Sequence, residues 1–102
     1  MNIDYAVEYR GEWGPVSGEL LHDIAPHLAH VATFAVNRGY ALDAFWWTVT
    51  NLETGRKVFY STSKGRAVEG AQVILATKTV RQILLRYSEC SKHEPLKTER
   101  IS

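Results

Sequence analysis

Two stretches of aromatic and β-branched residues around a short turn are the feature that most constrains what this chain can fold into. Residues 45–50 and 58–62 are both rich in aromatic residues, Val and Thr, which favour β-strands. Residues 51–55 between them end in Gly55, and glycine adopts the left-handed conformation that tight turns need. The pattern predicts a β-hairpin over residues 43–62. Both of its faces carry an aromatic residue, so at least one large ring should lie on or near the surface.

An alternating pattern near the N-terminus predicts a further strand. Residues 2–10 alternate between apolar and mostly polar positions, as a half-buried strand does. Its apolar side carries Ile3, Tyr5, Val7 and Tyr9. Residues 11–15 contain two glycines and a proline and are predicted to form a loop. Trp13 lies in this loop, where it either covers the edge of the core or serves as an exposed anchor for a partner.

Helical spacing of apolar residues between Ser17 and Asn37 predicts a first helix. Gly39 supplies the glycine that commonly ends a helix. Pro26 falls inside this stretch and removes one backbone hydrogen bond. The helix is therefore either kinked at Pro26 or begins near residue 25.

A second run of helical periodicity extends from the loop at residues 63–66 to Tyr87, and we interpret it as one helix. Its apolar stripe changes face near Thr77. Three explanations remain open: the first half of the helix is covered on both sides, a partner buries it, or the helix breaks there and residues 72–77 form a further strand.

The predicted order β-α-β-β-α places the chain in the α+β class. Each helix has one apolar stripe to bury, so we expect a small antiparallel sheet with two helices packed on one face and the other face open. An apolar content of 45% in 102 residues fits one globular domain, which we assign to residues 1–88. The polar residues 89–102 are predicted to form a C-terminal tail.

Cysteine content and hydropathy indicate the cytoplasm. The single cysteine, Cys90, cannot form an intramolecular disulfide, which suits a reducing compartment. No stretch approaches the roughly 18 apolar residues that a membrane-spanning helix needs, and the N-terminus has no basic segment followed by an apolar run. We therefore expect neither secretion nor insertion into a membrane.

Charge is divided unevenly along the chain. Residues 1–50 hold six acids and two bases, and residues 51–102 hold five acids and ten bases. Such asymmetry favours contact with a charged partner over chemistry. We therefore predict a non-catalytic protein-binding module whose acidic half and sheet aromatics contact a larger protein or complex. The predicted contact residues are Trp13, Trp46, Asp4, Glu8 and Glu12.

Compact single domains of this size, with a strong dipole and no catalytic motif, resemble in type the small inhibitors and adaptors that phages and mobile elements encode against host defence systems, such as anti-CRISPR proteins. The resemblance implies a protein that acts by occupying a surface of its partner. No cofactor is expected, and a homodimer is compatible with this function.

Nucleic-acid binding through a basic loop and helix is the first alternative. Its candidate residues are Lys64, Arg66, Lys78 and Arg81. Residues 61–66 precede a predicted helix, whose start could hold an anion, although N-capping by Ser63 or Thr62 explains the same residues. The net charge of only +1 and the pI of about 7.9 argue against a nucleic-acid footprint.

An enzyme or a metal-binding protein is the second alternative. Asp23, His27 and His30 have the spacing of one helical face and residue types that bind divalent metals. A single helix seldom supplies a complete site, so we favour a solvent-facing polar surface and predict no metal. Cys90 and His93 lie where the last helix should fray, a poor setting for a nucleophile. We therefore predict that the chain is not an enzyme.

Overall fold

A computed structural model of the chain describes residues 2–9, 11–39 and 45–90. Five strands in this part form one antiparallel sheet in the order β1-β2-β3-β4-β5. They are β1 (Asn2–Tyr9), β2 (Glu12–Leu21), β3 (Phe34–Arg38), β4 (Trp47–Asn51) and β5 (Arg56–Ser61). A short 3-10 helix (Pro26–Leu28) lies between β2 and β3, and helices α1 (Lys64–Ala76) and α2 (Val80–Cys90) follow the sheet. The chain is therefore a small α+β domain, the class that its predicted strands and helices indicate.

One face of the sheet carries the helices. Side chains alternate along a strand, and Phe34 and Val36 of β3 point to the face where α1 packs. Helix α1 contributes Ala67, Ala71 and Leu75 to this core, and α2 contributes Ile83. Leu28 of the 3-10 helix is fully buried in the same cluster. Small residues on α1 allow the helix to approach the strands closely.

The other face is covered by the β1–β2 hairpin. β2 pairs with β1 over residues 12–19 but with β3 only over residues 19–21, so most of the hairpin is free to leave the plane of the sheet. Tyr5 and Val7 pack with Ala35 in a second buried cluster. Strands β3 and β4 therefore have a layer on each side.

Besides the β2–β3 pairing, two hydrogen bonds among the described residues join the hairpin to the sheet. The Tyr5 hydroxyl donates to Oδ1 of Asn37 at 3.0 Å, and burial raises the pKa of the Tyr5 phenol. A Cβ atom at Gly18 would lie 2.5 Å from the Tyr5 oxygen, so glycine is needed there. At the tip of the hairpin, the Glu8 backbone N–H donates to the Gly55 carbonyl at 2.7 Å.

Capping residues define both helices. The Ser63 hydroxyl accepts a hydrogen bond from the Arg66 N–H at 3.1 Å, which confirms the predicted capping at the start of α1. Thr79 and Gln82 form a reciprocal capping box at the start of α2: each side chain accepts from the backbone N–H of the other residue, at 3.2 and 2.9 Å.

The structure confirms the predicted N-terminal strand, which is β1, and the predicted hairpin, which is formed by β4 and β5. Gly55 has a φ of 71°, the left-handed conformation that the turn was expected to require. Phe45 is 72% exposed, so a large ring of the hairpin does lie at the surface. The predicted open sheet face is wrong, because the β1–β2 hairpin covers it.

The predicted first helix, residues 17–37, is wrong, and so is the order β-α-β-β-α. The segment contains the end of β2, the 3-10 helix and β3. Its apolar residues repeat because three different elements reach the same core: Leu21 and Phe34 are paired across β2 and β3, and Leu28 joins them. Pro26 starts the 3-10 helix rather than kinking a long one.

The predicted loop at residues 11–15 is also wrong, since β2 begins at Glu12. Pro15 is tolerated because that part of β2 pairs only with β1 among the described strands. The single second helix is wrong as well. It breaks at residues 77–79, where the stripe changes face, but residues 72–77 remain helical up to Ala76 instead of forming a strand.

The predicted tail begins at residue 89, yet α2 continues to Cys90. Residues 91–102, including His93, lie outside the described part of the chain, as do Arg10 and Asp43. The boundary between residues 1–88 and the tail therefore stays a prediction.

Gly55→Ala should destabilise the fold. An added Cβ would lie 2.2 Å from the Trp13 ring, and the left-handed backbone costs a non-glycine residue about 1–2 kcal/mol in addition. We expect the urea-unfolding free energy to fall by at least about 2 kcal/mol. Gly65→Ala is the control, because a Cβ there meets nothing within 4 Å and alanine favours a helix. Equal losses in both variants would contradict the packing of Trp13 on Gly55.

Thr50→Val should stabilise the fold. The Thr50 side-chain hydroxyl is buried without a hydrogen-bond partner among the described residues, and valine has a similar shape without the desolvated hydroxyl. We expect a gain of about 1 kcal/mol in urea unfolding. Thr54→Val should instead be destabilising, because the buried Thr54 hydroxyl accepts from the Arg56 N–H at 3.2 Å. A loss of stability in Thr50→Val would show that its hydroxyl has a partner.

Candidate functional site

A cleft of about 420 Å³ opens between the β4–β5 hairpin and the helix pair. The hairpin wall carries Asn51, Thr54, Arg56, Lys57 and Val58, and the helix wall carries Ile74, Leu75, Lys78, Gln82, Ile83, Leu85 and Arg86; Phe34 of β3 also lines the cleft. The site thus brings together the β4–β5 hairpin, the C-terminal end of α1 and the first turns of α2.

Every charge among the described residues of the cleft lining is positive. Arg56 and Lys57 lie on the hairpin wall, Lys78 and Arg86 on the helix wall, and none of the described lining residues carries a carboxylate. A concave surface lined by one sign of charge attracts ions of the opposite sign. The cleft is therefore suited to an anionic group.

Apolar side chains line the cleft together with the two pairs of cations. Val58 and Ile74 are half-buried, and Leu85 is 64% exposed. An occupant that is only anionic, such as a phosphate, would leave these side chains without an apolar partner. The combination suits a ligand that carries both negative charge and an apolar group.

Hydrogen bonds in the β4–β5 turn fix the hairpin wall. Oδ1 of Asn51 accepts from the backbone N–H groups of Glu53 and Thr54, at 2.8 and 3.2 Å. Thr54 in turn accepts from the Arg56 N–H. The carboxylate of Glu53 is occupied by the backbone N–H and the hydroxyl of Thr33, both at 2.8 Å, which holds it away from the cations.

The helix wall depends on the break between α1 and α2. Lys78 lies in this break, and its N–H donates to the Leu75 carbonyl at 3.0 Å. Nε2 of His27 lies 3.1 Å from the Leu75 carbonyl oxygen and 3.0 Å from that of Lys78. Because both neighbours are acceptors, this nitrogen carries the proton. His27 thus stabilises the corner between α1 and α2, from which Lys78 lines the cleft.

The four cations differ in their present partners. Nε of Arg56 lies 3.7 Å from Oε1 of Glu8, and Nζ of Lys57 lies 5.6 Å from the centre of the Tyr60 ring. Lys78 and Arg86 have no ion-pair partner among the residues that the structure describes. Within the described part of the chain, the helix wall thus carries the cations that have no ion-pair partner.

The alternative set of basic residues is divided by the fold. Of the four, only Lys78 lines the cleft. Lys64 forms an ion pair with Glu19, whose pKa is lowered by the hydrogen bond and the charge of Lys64. Arg66 and Arg81 are exposed outside the lining.

The predicted contact residues lie in different settings. Trp13 is half-buried against Gly55, as expected for a residue that covers the core edge. Trp46 is half-buried, with its ring edge-to-face with Tyr60 at 5.2 Å between centres. The acids also differ: Asp4 and Glu12 are exposed, with Asp4 accepting from the Ser17 hydroxyl, and Glu8 is half-buried. Their role in binding stays a prediction.

The residues considered for metal binding do not share a helix. Asp23 precedes the 3-10 helix, His27 lies in it and His30 follows it. Across the described ranges, no group of three His, Cys, Asp or Glu side chains could hold a metal ion. In the same ranges, no helix has the length and hydropathy to cross a membrane.

Comparison with known proteins gives no match: no protein-family model, no curated protein and no solved structure resembles the chain.

Sequence reasoning grouped the cations but missed the cleft. Arg56, Lys57 and Arg86 belong to the basic second half, yet their convergence with Lys78 depends on where the helix breaks. The capping-box pattern of Thr79 and Gln82 was a usable signal for that break. The apolar component, such as Leu85, gave no separate signal, because it fits the stripe of an ordinary amphipathic helix.

A polyanion should bind the cleft and stabilise the fold. We expect sodium tripolyphosphate to raise the melting temperature by about 3 °C at constant ionic strength. Lys78→Gln/Arg86→Gln should abolish the shift, since it removes the unneutralised cations. Arg66→Gln/Arg81→Gln removes the same charge outside the cleft and should retain it. Loss of the shift in both double variants would mean that the anion senses only net charge.

Proposed function

We propose that this chain is a non-catalytic protein-binding module that occupies a surface of a larger protein, and that its cleft receives an acidic segment of that partner. The observation that carries the proposal is the convergence of four cations, Arg56, Lys57, Lys78 and Arg86, on a cleft whose described lining has no carboxylate. Like charges brought together disfavour the folded state. An anionic partner that binds in the cleft would offset this repulsion.

The apolar lining favours a protein partner over nucleic acid. Proteins that bind single strands stack bases on exposed aromatic rings. Among the described lining residues the aromatic one is Phe34, which is 2% exposed and offers no such surface. Leu85 and Ile74 instead suit an aliphatic side chain flanked by acids, as in an acidic amphipathic segment.

The opposite charge of the β1–β2 hairpin extends the proposal. Asp4 and Glu12 are exposed there and could meet basic groups of the same partner, with Trp13 and Trp46 at the edges of the contact. Two surfaces of opposite sign would fix the orientation of the partner. A small inhibitor or adaptor of phage or mobile-element type, acting in the cytoplasm, is the form of this function that we favour.

The test is binding of a labelled peptide with the sequence Glu-Glu-Leu-Leu-Glu-Glu, followed by fluorescence anisotropy. We expect saturable binding that weakens when Gln replaces every Glu, and also when Ser replaces both Leu. Lys78→Gln/Arg86→Gln should weaken binding by at least about threefold, because each partly exposed ion pair contributes up to about 1 kcal/mol.

Arg66→Gln/Arg81→Gln is the matched control and should bind the peptide like the unmodified protein. Two results would overturn the proposal. One is absence of saturable peptide binding. The other is tight binding of a single-stranded oligonucleotide that depends on Arg66 and Arg81, which would favour nucleic-acid binding and show the steep salt dependence of counterion release.

A further inference from the structure

One carboxylate of the hairpin tip reaches an edge of the cleft. Oε1 of Glu8 lies 3.7 Å from Nε of Arg56, and Oε2 accepts a hydrogen bond from the Gly11 N–H at 2.6 Å. Glu8 does not line the cleft, whereas Arg56 does. Glu8 is therefore placed behind Arg56, where it partly neutralises a cation that an occupant would also use.

The position of Glu8 is set by its backbone. Its N–H donates to the Gly55 carbonyl at 2.7 Å, and its register partner Trp13 packs against Gly55. The carboxylate is also held by Gly11. Glu8 thus stays near Arg56 as long as the hairpin covers the sheet.

The Arg56 side chain has more freedom. It is 42% exposed, against 21% for the Glu8 side chain, and the ion-pair distance of 3.7 Å is long. A partly exposed pair of this geometry is weak, because water screens it and the two side chains lose entropy in forming it. A carboxylate entering the cleft can compete for the guanidinium.

We propose that Glu8 is an internal competitor of the acidic partner and sets the affinity of the cleft. This inference rests on the proposed function. In the free protein Glu8 reduces the charge on the hairpin wall, so a single anionic group is held mainly by Lys78 and Arg86. A segment with carboxylates on both sides of its apolar residue can also bind the hairpin wall, because its second carboxylate displaces Glu8 from Arg56.

The experiment measures the affinity of Glu8→Gln for the same Glu-Glu-Leu-Leu-Glu-Glu peptide. The glutamine oxygen can still accept from Gly11, so the variant removes the charge and leaves the turn in place. We expect binding to tighten by about two- to fivefold, the range that a partly exposed ion pair allows. Glu12→Gln is the control: it removes one negative charge from the same hairpin, and Glu12 has no ion-pair partner among the described residues.

A double-mutant cycle identifies the route of the effect. If Glu8 acts through Arg56, then Glu8→Gln should not change affinity in the Arg56→Gln background. Equal tightening by Glu8→Gln and Glu12→Gln, or no tightening by Glu8→Gln in a protein that binds the peptide, would overturn the inference while leaving the proposed function in place. Absence of peptide binding to the unmodified protein would remove both.

Discussion

Strands β3 and β4 are buried on both faces, and this burial requires a layer on each side of the sheet. The helices supply one layer through α1, and the β1–β2 hairpin supplies the other. The hydrogen bond from Tyr5 to Asn37 joins the hairpin to the sheet inside the second layer. The same arrangement brings the hairpin tip to the β4–β5 turn, so the architecture of the domain and the charge environment of the cleft have a common origin.

Patterns within short segments of the sequence predicted the elements that form between residues close in sequence. The β4–β5 hairpin follows from its strand-forming residues and Gly55, and β1 follows from its alternation. Residues 17–37 were misassigned because periodicity measures only the spacing of apolar residues. Leu21 and Leu28 are seven residues apart, as on one face of a helix, yet they reach the core from a strand and a 3-10 helix. In this segment the tertiary packing determines the local structure, and the periodicity of the apolar residues does not.

The candidate site shows the same division between local and non-local information. The sequence located the positive charge in its second half, but it did not show which cations share a surface. That outcome depends on the corner at residues 77–79, which presents Lys78, and on the β5 register, which presents Arg56. It also depends on Glu19, which pairs with Lys64 and removes it from the set of available cations. The pairing of Lys64 with Glu19 and the contact of His27 with the corner both join residues that are far apart in sequence.

The contact between Glu8 and Gly55 also affects the order in which the domain can fold. It closes a loop that contains nearly half of the chain, and loop closure has an entropic cost that only later contacts offset. The β4–β5 hairpin has no such cost, since its strands are joined by a short turn. The β1–β2 layer should therefore dock late, onto a sheet that is already formed, and be the first part to open. Opening of this layer would separate Glu8 from Arg56 and would expose the buried face of β3 at the same time.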